Sequence, residues 1–596
     1  MSYRAPVKDM LFAIKELADI DAVAKLPGFE EAGYDTAAAV LEEAAKFAEG
    51  VLAPLNWEGD KDPSSWHDGA VRTTPGFKQA FAEFGAGGWQ GLQHPVGFGG
   101  QGLPKTIGAA CSEMLNSANM SFALCPLLTD GAIEALLTAG SPEQQQLYIP
   151  HMVSGQWTGT MNLTEPQAGS DLAAVRTRAE PQPDGSYRIF GTKIFITYGE
   201  HDMAENIVHL VLARVAGAPE GVKGISLFVV PKFLLNVDGS LGARNDVHCV
   251  SLEHKLGIKA SPTAVLQFGD HGGAIGYLVG QENQGLAYMF VMMNAARYGV
   301  GVQGIAVAER AYQKASSFAR DRVQSRPVDG SMPGAAPILH HPDVQRMLMT
   351  MRAYTEGCRA MAAVAAAAYD AAHAHPDAEA RKQNQAFYEF MVPLVKGFST
   401  EMSVEVTSLG VQVHGGMGFI EETGAAQYYR DARILPIYEG TTAIQANDLV
   451  GRKTARDGGA VARAIAARIQ ATEDDLQRSG SEAARAMLKA LTAARQAFLD
   501  VIDFIAGRSK AAPNDVYAGS VPYLMLAGNL VAGWQMARSL LVAEQRQSEG
   551  EDPAFMRAKI ATARFYGDHI LSKVPGLRHG IVEGAAGLRD MPLEAL

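Results

Sequence analysis

Cysteine is scarce. The 596 residues hold four thiols (Cys111, Cys125, Cys249, Cys358), far apart and without a CxxC pair. This spacing points away from a disulfide framework or a cysteine-ligated metal site, and toward buried thiols in a reducing compartment. Positive charge is also short. A formal net charge of −12 argues against general nucleic-acid or anionic-membrane binding, while leaving room for a local basic patch on a phosphorylated ligand. Charged residues are only 19% of the chain against 47% hydrophobic, which implies much buried surface. The first ten residues lack an apolar signal core. The most apolar late stretch, Val521 to Ala543, is interrupted by Asn529, Gln535 and Arg538 and reads as a bundle helix rather than a membrane span. No repeat of fixed period is present. These absences predict a cytoplasmic protein with no integral membrane segment, no nucleic-acid partner and no metal.

The length exceeds one hydrophobic core, so several domains are expected. Residues 1–158 read as helical, with apolar residues at helical spacing in Asp35–Glu49 and Met114–Gly140. No strand signal precedes the run Gly97-Phe-Gly-Gly-Gln-Gly102, which therefore reads as a turn rather than a phosphate cradle. Between 159 and 283, short segments rich in β-branched and aromatic residues, separated by turns such as Pro183-Asp184-Gly185, predict an antiparallel β domain. Helical periodicity returns over 284–452 in segments long enough for a bundle. After a glycine-containing stretch from Lys453, read as a linker, residues 453–596 predict about four more amphipathic helices. The fold class is mostly α with a central antiparallel β domain and an additional C-terminal helical domain.

The richest segment is Arg430-Asp-Ala-Arg433-Ile-Leu-Pro-Ile-Tyr438-Glu439-Gly440-Thr441-Thr442. A carboxylate beside a glycine has an unobstructed N–H next to it, so one loop can supply a general base and an electrophilic donor. In Met161-Asn-Leu163-Thr164-Glu-Pro-Gln-Ala-Gly-Ser170-Asp171 a strand runs into a turn of small and hydroxyl residues, which admits a planar hydrogen-bonding ligand. Alternation along Gly191–Thr197 places Phe195 and Thr197 on one strand face. Arg322 offers a guanidinium fork suited to phosphate, and Gln412-Val-His-Gly415-Gly416 ends a helix.

The Thr164–Asp171 and Ile437–Thr442 motifs together resemble the acyl-CoA dehydrogenase family, and the helical–β–helical order matches it up to about residue 452. The appendage resembles that of larger members, including the very-long-chain enzyme and the bacterial 3-methylmercaptopropionyl-CoA dehydrogenase group. The opening Tyr3-Arg-Ala-Pro-Val-Lys-Asp-Met-Leu-Phe12 is also similar to that bacterial group. The resemblance implies FAD as cofactor. Met161, Leu163 and Thr164 would line the flavin, and Ser170 would lie near the pyrophosphates of FAD and CoA. Phe195, where many members have tryptophan, would stack on the flavin, with Thr197 at its N5 edge and Thr441 in the same cofactor set. Arg322, Gln324, Gln412, Gly415 and Gly416 would reach the FAD of a neighbouring subunit. Arg297 and Gly440 would contact acyl-CoA, and Glu439 would be the catalytic base. One branch of the family carries its base on the Arg297 helix, but here that position is Ala296.

The implied reaction is α,β-dehydrogenation of a medium- or long-chain fatty acyl-CoA to trans-2-enoyl-CoA, with electrons passing to an electron-transfer flavoprotein. The alternative substrate is 3-methylmercaptopropionyl-CoA. An oxygen-reducing oxidase shares the chemistry. A DNA-binding flavoprotein of the alkylation-response type would need a basic stripe, whereas residues 453–596 interleave both signs of charge. The appendage favours a homodimer over the tetramer of smaller relatives.

Overall fold

The computed structural model describes residues 3–596. Up to Val153 the chain is helical apart from a small hairpin, Ser65–His67 with Ala70–Arg72. Its longest helix, α1 (Lys105–Ala139), is the one helix among the described residues long and apolar enough to cross a membrane, yet 78% of its most apolar window is buried inside the fold. A helix apolar on all sides belongs in a core. α1 kinks at Asn119 (φ −159°, ψ 91°), where the side chain repairs the break by accepting from the Phe122 N–H and donating to the Leu52 carbonyl.

The 97–102 glycine run is a turn, with Gly99 and Gly102 at φ 88° and 64°. A Cβ on Gly100 would collide with the His94 carbonyl. His94 pins this loop to α1. Its Nε2 lies 2.8 Å from Asp130 Oδ1, and its Nδ1 lies 3.6 Å from Glu134, an ion-pair distance rather than a hydrogen bond. Burial opposes protonation, but the two carboxylates outweigh it and push the imidazole up to about 9. The folded pKa lies above the unfolded value, so this contribution is complete below about pH 6.5 and is lost as pH rises through 9. Asp130 and Glu134 are both in part exposed to water, which limits the contribution to about 1–2 kcal/mol. Chemical denaturation from pH 6 to 10 should show the wild type losing that amount, and His94→Gln should flatten the slope.

Eight strands of one sheet follow, beside a small separate hairpin (Phe233–Leu235 with Leu241–Arg244): β1 (Trp157–Asn162), β2 (Arg178–Pro181), β3 (Tyr187–Thr197), β4 (Asn206–Val215), β5 (Ser226–Pro231), β6 (Val247–Leu252), β7 (Thr263–Phe268) and β8 (Ala274–Val279). Their order is β6-β7-β3-β8-β5-β4-β1, with β2 paired to both β3 and β4. The pairings β3-β8-β5-β4-β2-β3 close a circuit around Ile189, Val211, Phe228 and Phe268. The expectation of a purely antiparallel sheet is corrected in two places, because β1 and β2 both run parallel to β4. β1 reaches β4 by a crossover past β2 and β3, a connection that permits parallel pairing where a hairpin does not.

The second helical region contains α2 (Gly285–Asp321), α3 (Pro342–Ala374), α4 (Ser399–His414) and α5 (Thr442–Val450). The helix Ala378–Pro393 runs into α4 through a π turn, Leu394–Phe398. The long appendage helices are Ala460–Ser479, Glu482–Arg508, α6 (Ser520–Ser548) and α7 (Pro553–His569). The expected linker at 453–460 is largely helical in its first part. Gly451–Ala455 continues α5 as another π turn, and buried Thr454 shares a 3.0 Å hydrogen bond with Tyr523 of α6. One apolar cluster runs from Tyr3 through α1–α5 to Leu524, Trp534 and Tyr566. A buried ionic network crosses it. Arg359 of α3 pairs with Glu113 (α1), Glu309 (α2) and Asp9, while Lys559 of α7 pairs with Asp9 at 2.6 Å and Glu356 at 2.8 Å.

Candidate active site

Glu439 lies in the turn between Ala432 and α5, with a left-handed backbone (φ 54°) followed by Gly440 (φ 86°). A non-glycine residue in that region is strained by about 1–3 kcal/mol and persists only where its surroundings enforce it. Here they do. Gly440 O accepts from Lys396 Nζ at 2.6 Å and Leu435 O from the same atom at 2.8 Å. Tyr438 OH donates to Gln303 of α2 at 2.5 Å, and Gln303 in turn donates to Asn116 of α1 at 3.0 Å. The Thr441 hydroxyl caps α5 by accepting from the Ile444 N–H, and Thr442 N–H donates to Pro436 O. A longer contact, 3.4 Å, joins Gln445 Nε2 to Glu439 O. The Glu439 N–H, by contrast, donates to no acceptor among the described residues.

Upstream, Arg430 fixes the loop to both other domains, bonding Asp60 and the Leu256 carbonyl, and Asp431 accepts from the Ile258 N–H at 2.5 Å. Only glycine fits at 257, because a Cβ there would lie 2.5 Å from the Arg430 carbonyl. Arg433 points to solvent. Arg297, buried on α2, stands near Gly440, and its Nε has no hydrogen-bond partner among the described residues. Glu439 is partly accessible, but burial raises its pKa above the usual carboxylate value, opposed by Arg297 and then Lys396. Ala296, next to Arg297, is buried and carries no acid–base group.

A second group of residues forms a ledge on the β domain. Phe195 has φ 59° and lies 58% exposed, where β3 and β7 shift register. The expected alternation is thus broken by a bulge, although exposure still alternates through Phe195, buried Ile196 and half-buried Thr197. Ile194 N–H donates to Thr164 O at 2.9 Å, which brings the end of β1 beside this bulge. Met161 is buried, Leu163 and Thr164 are half-buried, and Ser170 is exposed on the following turn. That turn is held by Glu165, which accepts from Lys193, Thr177 and the Arg176 N–H. These partners keep the Glu165 carboxylate well below its ordinary pKa despite burial.

The remaining expected residues sit on a separate, exposed face. Arg322 closes α2 and donates to Gln324 Oε1 at 2.8 Å, and Gln324 O is in hydrogen-bond contact with His341. Phe318 stacks on His414 at 4.4 Å, which places the end of α2 beside Gln412, Gly415 and Gly416. Exposed Met417, Phe419 and Ile420 continue this face. The sequence pattern does not single out Lys396, Gln303 or Gln445, and Glu165 stands unremarked inside the Thr164–Asp171 motif. Of the first three, Lys396 alone carries a signal, as a lone lysine inside the apolar stretch Phe390–Phe398.

The acyl-CoA dehydrogenase N-terminal, middle and C-terminal domain families match residues 35–156, 160–271 and 283–453. A fourth, described as acetyl-CoA dehydrogenase C-terminal like, matches 465–592. A 3-methylmercaptopropionyl-CoA dehydrogenase from Ruegeria pomeroyi is 57% identical over 96% of each chain. The chain belongs to the acyl-CoA dehydrogenase family. This acyl-CoA dehydrogenase is also 37% identical, over 97% of each chain, to the broad-specificity linear acyl-CoA dehydrogenase FadE5 of Mycobacterium tuberculosis. It shares its fold with a Bacillus anthracis acyl-CoA dehydrogenase solved in complex with FAD (TM-score 0.74, 23% identity, 95% of this chain and 92% of that one). The match at 465–592 places the appendage within the family's own architecture.

Proposed function

We propose that this acyl-CoA dehydrogenase converts 3-(methylthio)propanoyl-CoA to its α,β-unsaturated thioester, with Glu439 as base and FAD as cofactor. The observation that carries the substrate choice is the 57% identity, end to end, to a 3-methylmercaptopropionyl-CoA dehydrogenase. It favours the thioether over the medium- or long-chain fatty acyl group, and the 37% likeness to a broad-specificity linear enzyme makes straight chains the second reading.

The residues fit FAD. An aromatic ring exposed on a strand bulge suits a planar ring system, and Thr164 and Thr197 supply hydroxyls beside it. Phe195, Thr164 and Thr197 would hold FAD, which would supply a hydride acceptor for the β-carbon. The chain supplies the rest. The Glu439 carboxylate takes the α-proton, and the free Glu439 N–H donates to the thioester oxygen as enolate charge develops there. Burial raises the base toward the acidity of its task. Arg297 lies beside Gly440 to shape the acyl-CoA site.

The face carrying Arg322, Gln324, Gln412, Gly415 and Gly416, with exposed Met417 and Phe419, supports a homodimer in which each subunit completes its neighbour's cofactor site. Electrons leave to an electron-transfer flavoprotein, in the cytoplasm. The test is anaerobic titration of the yellow protein with 3-(methylthio)propanoyl-CoA, its isostere pentanoyl-CoA, octanoyl-CoA and palmitoyl-CoA. Flavin bleaching should be fastest with the thioether. Equal bleaching by the straight chains would replace this reading with the broad one, and no bleaching by any would reject both.

A further inference from the structure

We infer that Lys396 is a positioning residue for the base, clamping the Glu439 loop at two carbonyls and setting the charge field in which Glu439 ionises. This rests on the reading of Glu439 as base.

Lys396 is fully buried, and no carboxylate lies within ion-pair distance of it among the described residues. Its Nζ instead bonds Leu435 O and Gly440 O, five residues apart on either side of Glu439. A buried ammonium without a carboxylate in contact is costly, so its retention calls for a task. Its position is also over-determined. It sits in the π turn 394–398, a helix irregularity frequent at functional sites. On one side, Gly301 and Gly304 let α2 approach so closely that a Cβ on either would strike the backbone of Val395 or Ser399. On the other, α6 presses in through Gly528 against Phe398, while Leu524 fills the space beside Gly397.

The charges facing Lys396 are Glu439 from the loop, Arg297 from α2 and Glu401 from α4. Burial outweighs them and brings the ammonium down to about 7. A neutral amine still has N–H groups for both carbonyls, so the clamp survives deprotonation, while the positive field at Glu439 does not. That field acts opposite to burial on Glu439, favouring its ionised form.

Lys396→Met removes donors and charge, Lys396→Gln keeps a donor without charge, and Lys396→Arg keeps both. FAD content and thermal midpoint would be measured for each, with kcat, KM and the acid limb of the kcat–pH profile. Lys396→Met should lose about 10²-fold in kcat with KM unchanged. Its acid limb should move up by about 1 pH unit, as expected when a nearby opposite charge is removed from a carboxylate. Lys396→Gln should show the same shift, and Lys396→Arg should keep the wild-type limb. Should Lys396→Met fail to hold FAD, the Gln and Arg variants carry the comparison. Wild-type kcat and acid limb in Lys396→Met, or one common limb for Gln and Arg, would overturn the inference. Glu439→Gln, assayed alongside, separates the two readings. Normal turnover there removes the base itself, whereas an inactive Glu439→Gln beside a wild-type-like Lys396→Met removes only the role of Lys396.

Discussion

Glu439→Gln is expected to bind FAD in full and to lose about 10²–10⁴-fold in kcat, the usual worth of a positioned general base. Glutamine keeps the size of the side chain and the backbone N–H, so the loop, the thioester contact and the cofactor ledge should survive, and only proton abstraction is removed. Flavin absorbance of the purified variant checks the first part, and dye reduction with saturating substrate checks the second. Wild-type turnover would sink the assignment. Ala296, beside Arg297, has no group that can act instead. The wild-type pH profile bears on the same point. Burial raises the pKa of Glu439, and the working form is the carboxylate, so kcat/KM should rise with pH along a limb lying above the ordinary glutamate value.

Lys559→Met is expected to cost about 1.5–3 kcal/mol of stability, because it removes one of two cations from each of two buried carboxylates, leaving Asp9 with Arg359 alone and Glu356 with Arg352 alone. The loss should appear as a large fall in thermal and denaturant midpoints, with activity at low temperature largely kept, since Lys559 lies in α7 and contacts no residue of the catalytic loop. Adding Asp9→Leu in the same chain should recover part of the loss, as an apolar replacement removes one of the three carboxylates then left to Arg359. The acid side follows from the same network. Although burial opposes ionisation, Lys559 and Arg359 hold the Asp9 carboxyl well below its usual pKa. A depressed carboxylate contributes stability above its unfolded pKa, near 4, and that contribution disappears as pH falls through the folded value. Lys559→Met should therefore show a weaker acid dependence. An unchanged midpoint would mean that water or another cation already compensates the pair.

What the sequence disclosed follows from how local each feature is. Glu439 and Gly440 were legible because base, free N–H and left-handed step are adjacent residues. The helical–β–helical order was legible from periodicity. Phe195 was found, but its bulge was not, since a register shift depends on how β3 meets β7, which begins only at Thr263. The parallel pairing of β1 with β4 was hidden for the same reason. Lys396 and Gln303 act through partners 39 to 187 residues away, so nothing beside them in the chain marks their use. The supposed linker at 453 failed on composition, because its glycines and charges concealed buried Thr454.

The absence of a seam at that point bears on how the chain can be recombined. A chimaera joined to a shorter relative at residue 453 would part Gly397 from Leu524 and Phe398 from Gly528, two matched surfaces at once. The last 140 or so residues are therefore inherited with the turn they press on. Variation among relatives at 524 and 528 reads as change in the active-site wall, seen from behind.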